Sequence, residues 1–156
     1  MNFKSIVWIF LPLAIYAQML PVQWGENVTG VTTKFHSDKK EIALTFDACG
    51  GSERSSQYDE ELIEFLMLHR IPATLFINAR WIDTNPQIFM KLSHNPLFEI
   101  ANHGTAHKPL SVEGKSAYGI QGTTSADEVM SEIQGNNEKI EKLTGKRPRF
   151  FRAGTA

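Results

Sequence analysis

Leu97-Phe98-Glu99-Ile100-Ala101-Asn102-His103-Gly104-Thr105-Ala106-His107 decides how the rest of this 156-residue chain is read. The first five residues form a short apolar run of strand length, and two imidazoles follow it, four residues apart. Alternation along the run places Glu99, Ala101 and His103 on one face and Phe98 and Ile100 on the other. Two histidines at that spacing reach one metal ion if the backbone between them makes a single turn. Strand ends are also where α/β proteins gather their chemistry.

Outward from this stretch, strand-like and helix-like segments alternate. Glu41 to Asp47 is β-prone, and Cys49-Gly50-Gly51-Ser52 breaks it. Tyr58 to His69 has helical spacing, with Leu62, Phe65, Leu66 and His69 on one face and acids in the first turn. Ala73 to Ile77 is a second strand. Thr84-Asn85-Pro86 opens another helix with proline at its first position. Leu97 to Ala101 is the third strand. A long loop, Asn102 to Thr124, leads to the capping box Ser125-Ala126-Asp127-Glu128. The helix after it is expected to bury Val129, Ile133, Ile140 and Leu143, and Gly145 closes it. Arg149 to Arg152 starts a fourth strand. The order βαβαβαβ predicts an α/β fold with parallel strands. Four parallel strands leave an open edge, so residues 41–156 read as the first part of a larger, incomplete domain.

Length allows one sizeable core. The net charge of −1 gives no reason to expect a nucleic acid or an anionic membrane as partner. A single cysteine excludes an internal disulfide. Residues 1–17 resemble an export signal: Lys4 is basic, Ile6 to Ala14 is mostly apolar, and Ala17 is small. The apolar run is too short for a comfortable membrane span. Cleavage would leave an exported protein, in the periplasm, the cell envelope or outside the cell. Residues 18–40 form an aperiodic leader, with a sequon at Asn27-Val28-Thr29. Cys49, a lone thiol, is either a reactive group or ligand or, the preferred reading, a small buried residue in a tight loop.

Parallel strands bring their C-terminal ends to one rim. Asp47, His103 and Arg152 should meet there, with His107 one turn beyond. The histidines suit Zn²⁺ or a similar divalent ion. A third ligand is needed, and Asp47 is the first candidate; otherwise Asp47 is the base that takes a proton from water. Arg152 is the cation that aims it. Such a constellation suits metal-assisted hydrolysis of an amide or ester. His36, His69 and His94 receive no role.

Thr45-Phe46-Asp47, His103-Gly104-Thr105-Ala106-His107 and Arg149-Phe150-Phe151-Arg152 together resemble the first three motifs of the polysaccharide deacetylase (NodB-homology) family of carbohydrate esterases. The resemblance covers roughly residues 41–156. It implies a deformed (β/α) barrel and hydrolytic removal of N- or O-acetyl groups from a glycan such as peptidoglycan or a chitin-like polymer. It also implies a divalent metal on His103 and His107, Asp47 as catalytic base and Arg152 orienting it. The chain departs from the family pattern in three ways. Ala48 stands where the first motif has a second, metal-binding acid, which leaves Asp47, Glu53 or Asp59 to supply the third ligand. Ala153-Gly154-Thr155 replaces a proline-containing turn, and the later motifs have no counterpart. These departures raise a second expectation, a non-catalytic carbohydrate-binding relative. No oligomeric state is assigned.

Overall fold

The computed structural model describes residues 27–34 and 36–155. The export signal expected at 1–17 lies outside the described residues. The chain divides into two compact units, Met1–Glu41 and Ile42–Ala156. The described residues of the first unit form no helix or strand; its sequon sits in a turn closed by the Val31 N–H on the Val28 carbonyl, 3.1 Å. Among the described residues no helix is long and apolar enough to cross a membrane.

The second unit is built on three parallel strands, β1 (Thr45–Ala48), β2 (Ala73–Ile77) and β3 (Phe98–Asn102), in that spatial order. Their register aligns Ala48, Ile77 and Asn102 as the last row, so all three strands deliver their chains to one rim. Helix α1 (Glu60–Leu68) connects β1 to β2, after a short 3₁₀ turn at Arg54–Ser56. Two helices, α2 (Ala79–Thr84) and α3 (Pro86–Ser93), connect β2 to β3. Helix α4 (Ala126–Thr144) follows the long loop. The alternating parallel α/β arrangement is as expected, and these three strands do not close a barrel.

Local chemistry explains the boundaries. Asp59 caps α1 by accepting the Leu62 N–H at 3.0 Å. At α4 the Ser125 hydroxyl accepts the Glu128 N–H at 3.2 Å, and Glu128 accepts the Thr124 N–H at 2.9 Å. Gly145 ends α4 in the left-handed conformation, with its N–H on the Glu141 carbonyl. The core joins Leu66, Ile77, Trp81, Ile82, Phe89, Leu92 and Ile140, all nearly inaccessible.

Four details differ from the sequence reading. Phe65 is 52% exposed and stacks on His69 at 4.4 Å outside the core. The core instead takes the row one position on, Ile63 and Leu66. Helix α2 was not expected: six residues are too few for a helical period, and it depends on Asn78, whose side chain accepts the Arg80 N–H at 3.0 Å. The fourth strand is reduced to one parallel bridge between Asn102 and Phe151. Pro148 has no N–H with which to carry pairing further back along β3.

The fourth difference is in α4. Leu143 is exposed, Val129 and Ile133 are half-buried, and the deepest face is Glu132, Asn136 and Ile140. That part of the helix meets backbone polar groups at the rim, and polar side chains are needed to satisfy them. Asn136 Nδ2 donates to the Ile77 carbonyl and to Asn102 Oδ1, both at 2.8 Å.

Candidate active site

The rim assembles the four expected residues and adds a fifth. Asp47, 37% exposed, accepts from Arg152 Nη1 through Oδ1 at 2.6 Å. Arg152 also donates through Nη2 to Thr45 Oγ1 at 3.0 Å and lies 4.0 Å over the Phe76 ring. Three contacts therefore hold the guanidinium, including a cation–π contact with a strand residue. The other Asp47 oxygen, Oδ2, faces His103 Nε2 at 3.9 Å.

Arg152 also fixes the histidine. Its carbonyl oxygen lies 3.0 Å from His103 Nδ1. A carbonyl only accepts, so Nδ1 carries the proton and Nε2 presents a lone pair. That Nε2 lies 3.1 Å from His107 Nε2 and 3.8 Å from Cys49 Sγ. The two imidazoles meet edge to face, with centroids 4.7 Å apart. One ligand atom from each of Cys49, His103 and His107 falls within 4.8 Å of the others. Cys49 is half-buried, and its sulfur faces the histidine pair.

Asp47 lies outside that three-donor group, beside it. Glu53 and Asp59 are exposed, and Asp59 is occupied as the cap of α1. Burial lowers the His107 pKa first, and the neighbouring His103 lowers it further, so the ring is neutral at neutral pH. Burial raises the Cys49 thiol, and the Asp47 carboxylate adds to that.

The turn between the histidines is held from α4. Glu132, only 6% exposed, accepts the Ala106 N–H with both carboxylate oxygens, at 2.9 and 3.0 Å, and the Lys108 N–H at 3.2 Å. Its backbone carbonyl takes the Thr105 N–H and hydroxyl. Gly104, at φ +83°, permits this approach; a Cβ there would stand 2.5 Å from Glu132 Oε1. Asn78 Nδ2 donates to the His103 and Gly104 carbonyls at 2.9 and 2.8 Å, and Asn102 Oδ1 receives the Gly104 N–H at 2.7 Å. None of these supports was singled out from the sequence. The one signal was the helical row Glu132, Asn136, Ile140, which puts a charge on an inward face.

The donor set fits a divalent metal. A fixed imidazole lone pair, a second neutral imidazole and a thiol converge, and the proton on His103 Nδ1 is tied to a carbonyl, as outer partners do at metal sites. Zn²⁺ is served by these N and S donors, and Mg²⁺ and Ca²⁺, which take oxygen ligands, are not.

Comparison with known proteins gives the family. The family model described as polysaccharide deacetylase matches residues 34–156. The chain belongs to the polysaccharide deacetylase family. It is 28% identical over 137 residues to the peptidoglycan-N-acetylmuramic acid deacetylase PdaA of Bacillus subtilis, covering 84% of this chain and 46% of that protein. A family 4 carbohydrate esterase from Bacillus anthracis superposes with a TM-score of 0.57 at 26% identity, over 74% of this chain and 49% of that one. A mutant of a family 4 pseudoenzyme from the same organism, described as having restored enzymatic activity, gives a TM-score of 0.56 at 29% identity, over 77% and 38%. The chain spans less than half the length of the curated relatives it matches.

Proposed function

We propose that this chain carries the metal site and catalytic base of a metal-dependent deacetylase. It would remove N-acetyl groups, and O-acetyl groups where present, from an extracytoplasmic glycan, with peptidoglycan as the first candidate. The observation that carries this reading is the Asp47–Arg152 pair set beside the converging donors of His103 and His107. PdaA, named for its action on peptidoglycan, supports the substrate class, and the signal-like segment 1–17 supports export of the chain. Zn²⁺ is the metal that the nitrogen and sulfur donors favour.

The chain's own residues divide the work. His103 and His107 would hold the metal, which when bound polarises an acetyl carbonyl and acidifies water. Asp47 Oδ1 is committed to Arg152, so Oδ2 is the oxygen available to take a proton from an attacking water. Arg152 keeps that oxygen aimed through its side chain, and keeps Nε2 of His103 facing the site through its carbonyl. One residue thus orients both halves of the chemistry.

A non-catalytic glycan-binding role is the second reading. It draws on Ala48, which stands where the family's first motif has a second acid, and on the likeness to a pseudoenzyme. The two readings separate on acetate release from N-acetylated peptidoglycan and from chitooligosaccharides. The deacetylase reading expects free acetate with one of them; retention of the glycan with no acetate from either supports the binding role instead.

Glu132 gives a test of the support network. Glu132→Gln should lower Zn²⁺ affinity by about 10- to 100-fold, as loss of an outer partner does. It should also cost about 1–3 kcal/mol of stability, because the charged acceptor is lost and an NH2 donor takes the place of the oxygen that faces the Ala106 N–H. Zinc titration and denaturant unfolding measure the two effects. Native affinity in the variant would mean that the turn does not need this carboxylate.

A further inference from the structure

We propose that the Cys49 thiolate is the third protein ligand of the metal, standing in for the missing second carboxylate and leaving Asp47 free for proton transfer. This deepens the metal-dependent reading above and rests on it.

Geometry is the first support. A tetrahedral zinc site with bonds of about 2.05 Å to nitrogen and about 2.3 Å to sulfur puts two imidazole nitrogens about 3.3 Å apart and a nitrogen and a sulfur about 3.6 Å apart. The structure has 3.1 Å between His103 Nε2 and His107 Nε2, and 3.8 Å between His103 Nε2 and Cys49 Sγ. Each differs from the ideal by a few tenths of an ångström. The third separation is within 4.8 Å, so Cys49 and His107 close by up to about 1.2 Å to complete the triangle.

The second support is the side chain that faces the thiol. His103 is 2% exposed, its Nδ1 is used on the Arg152 carbonyl, and its Nε2 lone pair points at an imidazole nitrogen, a sulfur and a carboxylate oxygen. A sulfur and a second imidazole nitrogen set around one fixed lone pair supply the donors of a metal site once the thiol gives up its proton.

Third, the Cys49 loop is anchored. Gly50 has φ +67°, and a Cβ there would stand 2.4 Å from the Trp81 backbone nitrogen, so the chain beside the thiol lies directly against α2. The Gly50 N–H donates to the Ser55 carbonyl at 2.9 Å, and the Ser55 hydroxyl donates to the Gly50 carbonyl at 2.7 Å.

The division of labour follows. Asp47 and Cys49, two residues apart, approach the same Nε2 at 3.9 and 3.8 Å, but only Asp47 is clamped by an arginine. Asp47 Oδ1 is held by Arg152 and Oδ2 is the oxygen left for proton transfer, so coordination through Oδ2 would cost the chain its base; the thiol makes no ion pair and has no second task. A sulfur donor also selects the metal, favouring Zn²⁺ or Co²⁺ over oxygen-seeking ions.

Cobalt titration of the whole chain tests this. Cys49 is the only cysteine, so a thiolate-to-cobalt charge-transfer band in the near ultraviolet reports on this residue. One equivalent of Co²⁺ should produce that band together with weaker visible bands. Cys49→Ser should lose the charge-transfer band, keep the visible ones, and bind more than about a hundredfold more weakly, a larger loss than an outer partner causes. A second measurement needs no variant: bound Zn²⁺ should slow modification of Cys49 by a disulfide reagent at least tenfold. Visible cobalt bands without charge transfer, or thiol reactivity unchanged by bound zinc, would overturn the thiolate ligand and leave the histidine site standing. No cobalt bands at all would overturn the metal-dependent reading as well.

Discussion

Asp47→Asn is expected to lower acetate release by about a thousandfold while leaving the bound metal in place, within the range that removal of a general base costs. The substitution keeps the shape of the side chain and one oxygen near Arg152, but an amide cannot accept the proton from water. Metal should stay because Asp47 lies outside the three-donor group. The two measurements are acetate release at saturating substrate and metal content by elemental analysis. Full activity in the variant removes Asp47 from the mechanism. Loss of metal together with activity would instead make Asp47 a ligand, as the sequence alone allowed.

His103→Ala should abolish stoichiometric zinc binding, with effects on both affinity and stability. The ring is buried, and its removal takes away one donor and leaves the Arg152 carbonyl without its partner. Loss of that hydrogen bond costs about 0.5–1.5 kcal/mol, because the half-buried carbonyl can still reach water. The clearer reading is linkage: zinc at a hundred times its Kd should stabilise the native chain by about 2.7 kcal/mol and the variant by almost nothing. Unfolding with and without zinc measures this directly. A variant that zinc stabilises as much as the native chain would show that the metal sits elsewhere.

The parts of the fold that could be read in the sequence are those set by local periodicity. The β1, β2 and β3 runs, the proline start of α3 and the serine cap of α4 each carry their own signal over a few residues. Because parallel strands share a rim, the meeting of Asp47 with Arg152, 105 residues apart, was legible as well. What was not legible depends on long-range approach. Glu132 looks like one more charge on a polar helix until α4 is laid against the 103–107 turn. Cys49 looks like filler in a glycine loop until Gly50 brings that loop against Trp81. The Arg149 to Arg152 segment has strand composition, yet its only pairing is with Asn102. Helix α2 was hidden because six residues carry no period, and its cap, Asn78, is also the residue that ties down the His103 and Gly104 carbonyls.

These long-range contacts also show how the site is built. Asparagines at the strand ends spend their amides on carbonyls of neighbouring segments, and Glu132 spends its charge on three N–H contacts. The result is a rigid turn that presents two imidazoles, with little left to be arranged when a metal or substrate arrives.

The most direct test of the central claim is acetate release from N-acetylated peptidoglycan by protein stripped with a chelator, measured before and after one equivalent of Zn²⁺ is returned. Metal-dependent deacetylation predicts that activity falls to background on stripping and returns as zinc reaches one equivalent. Undiminished acetate release from the stripped protein would contradict it.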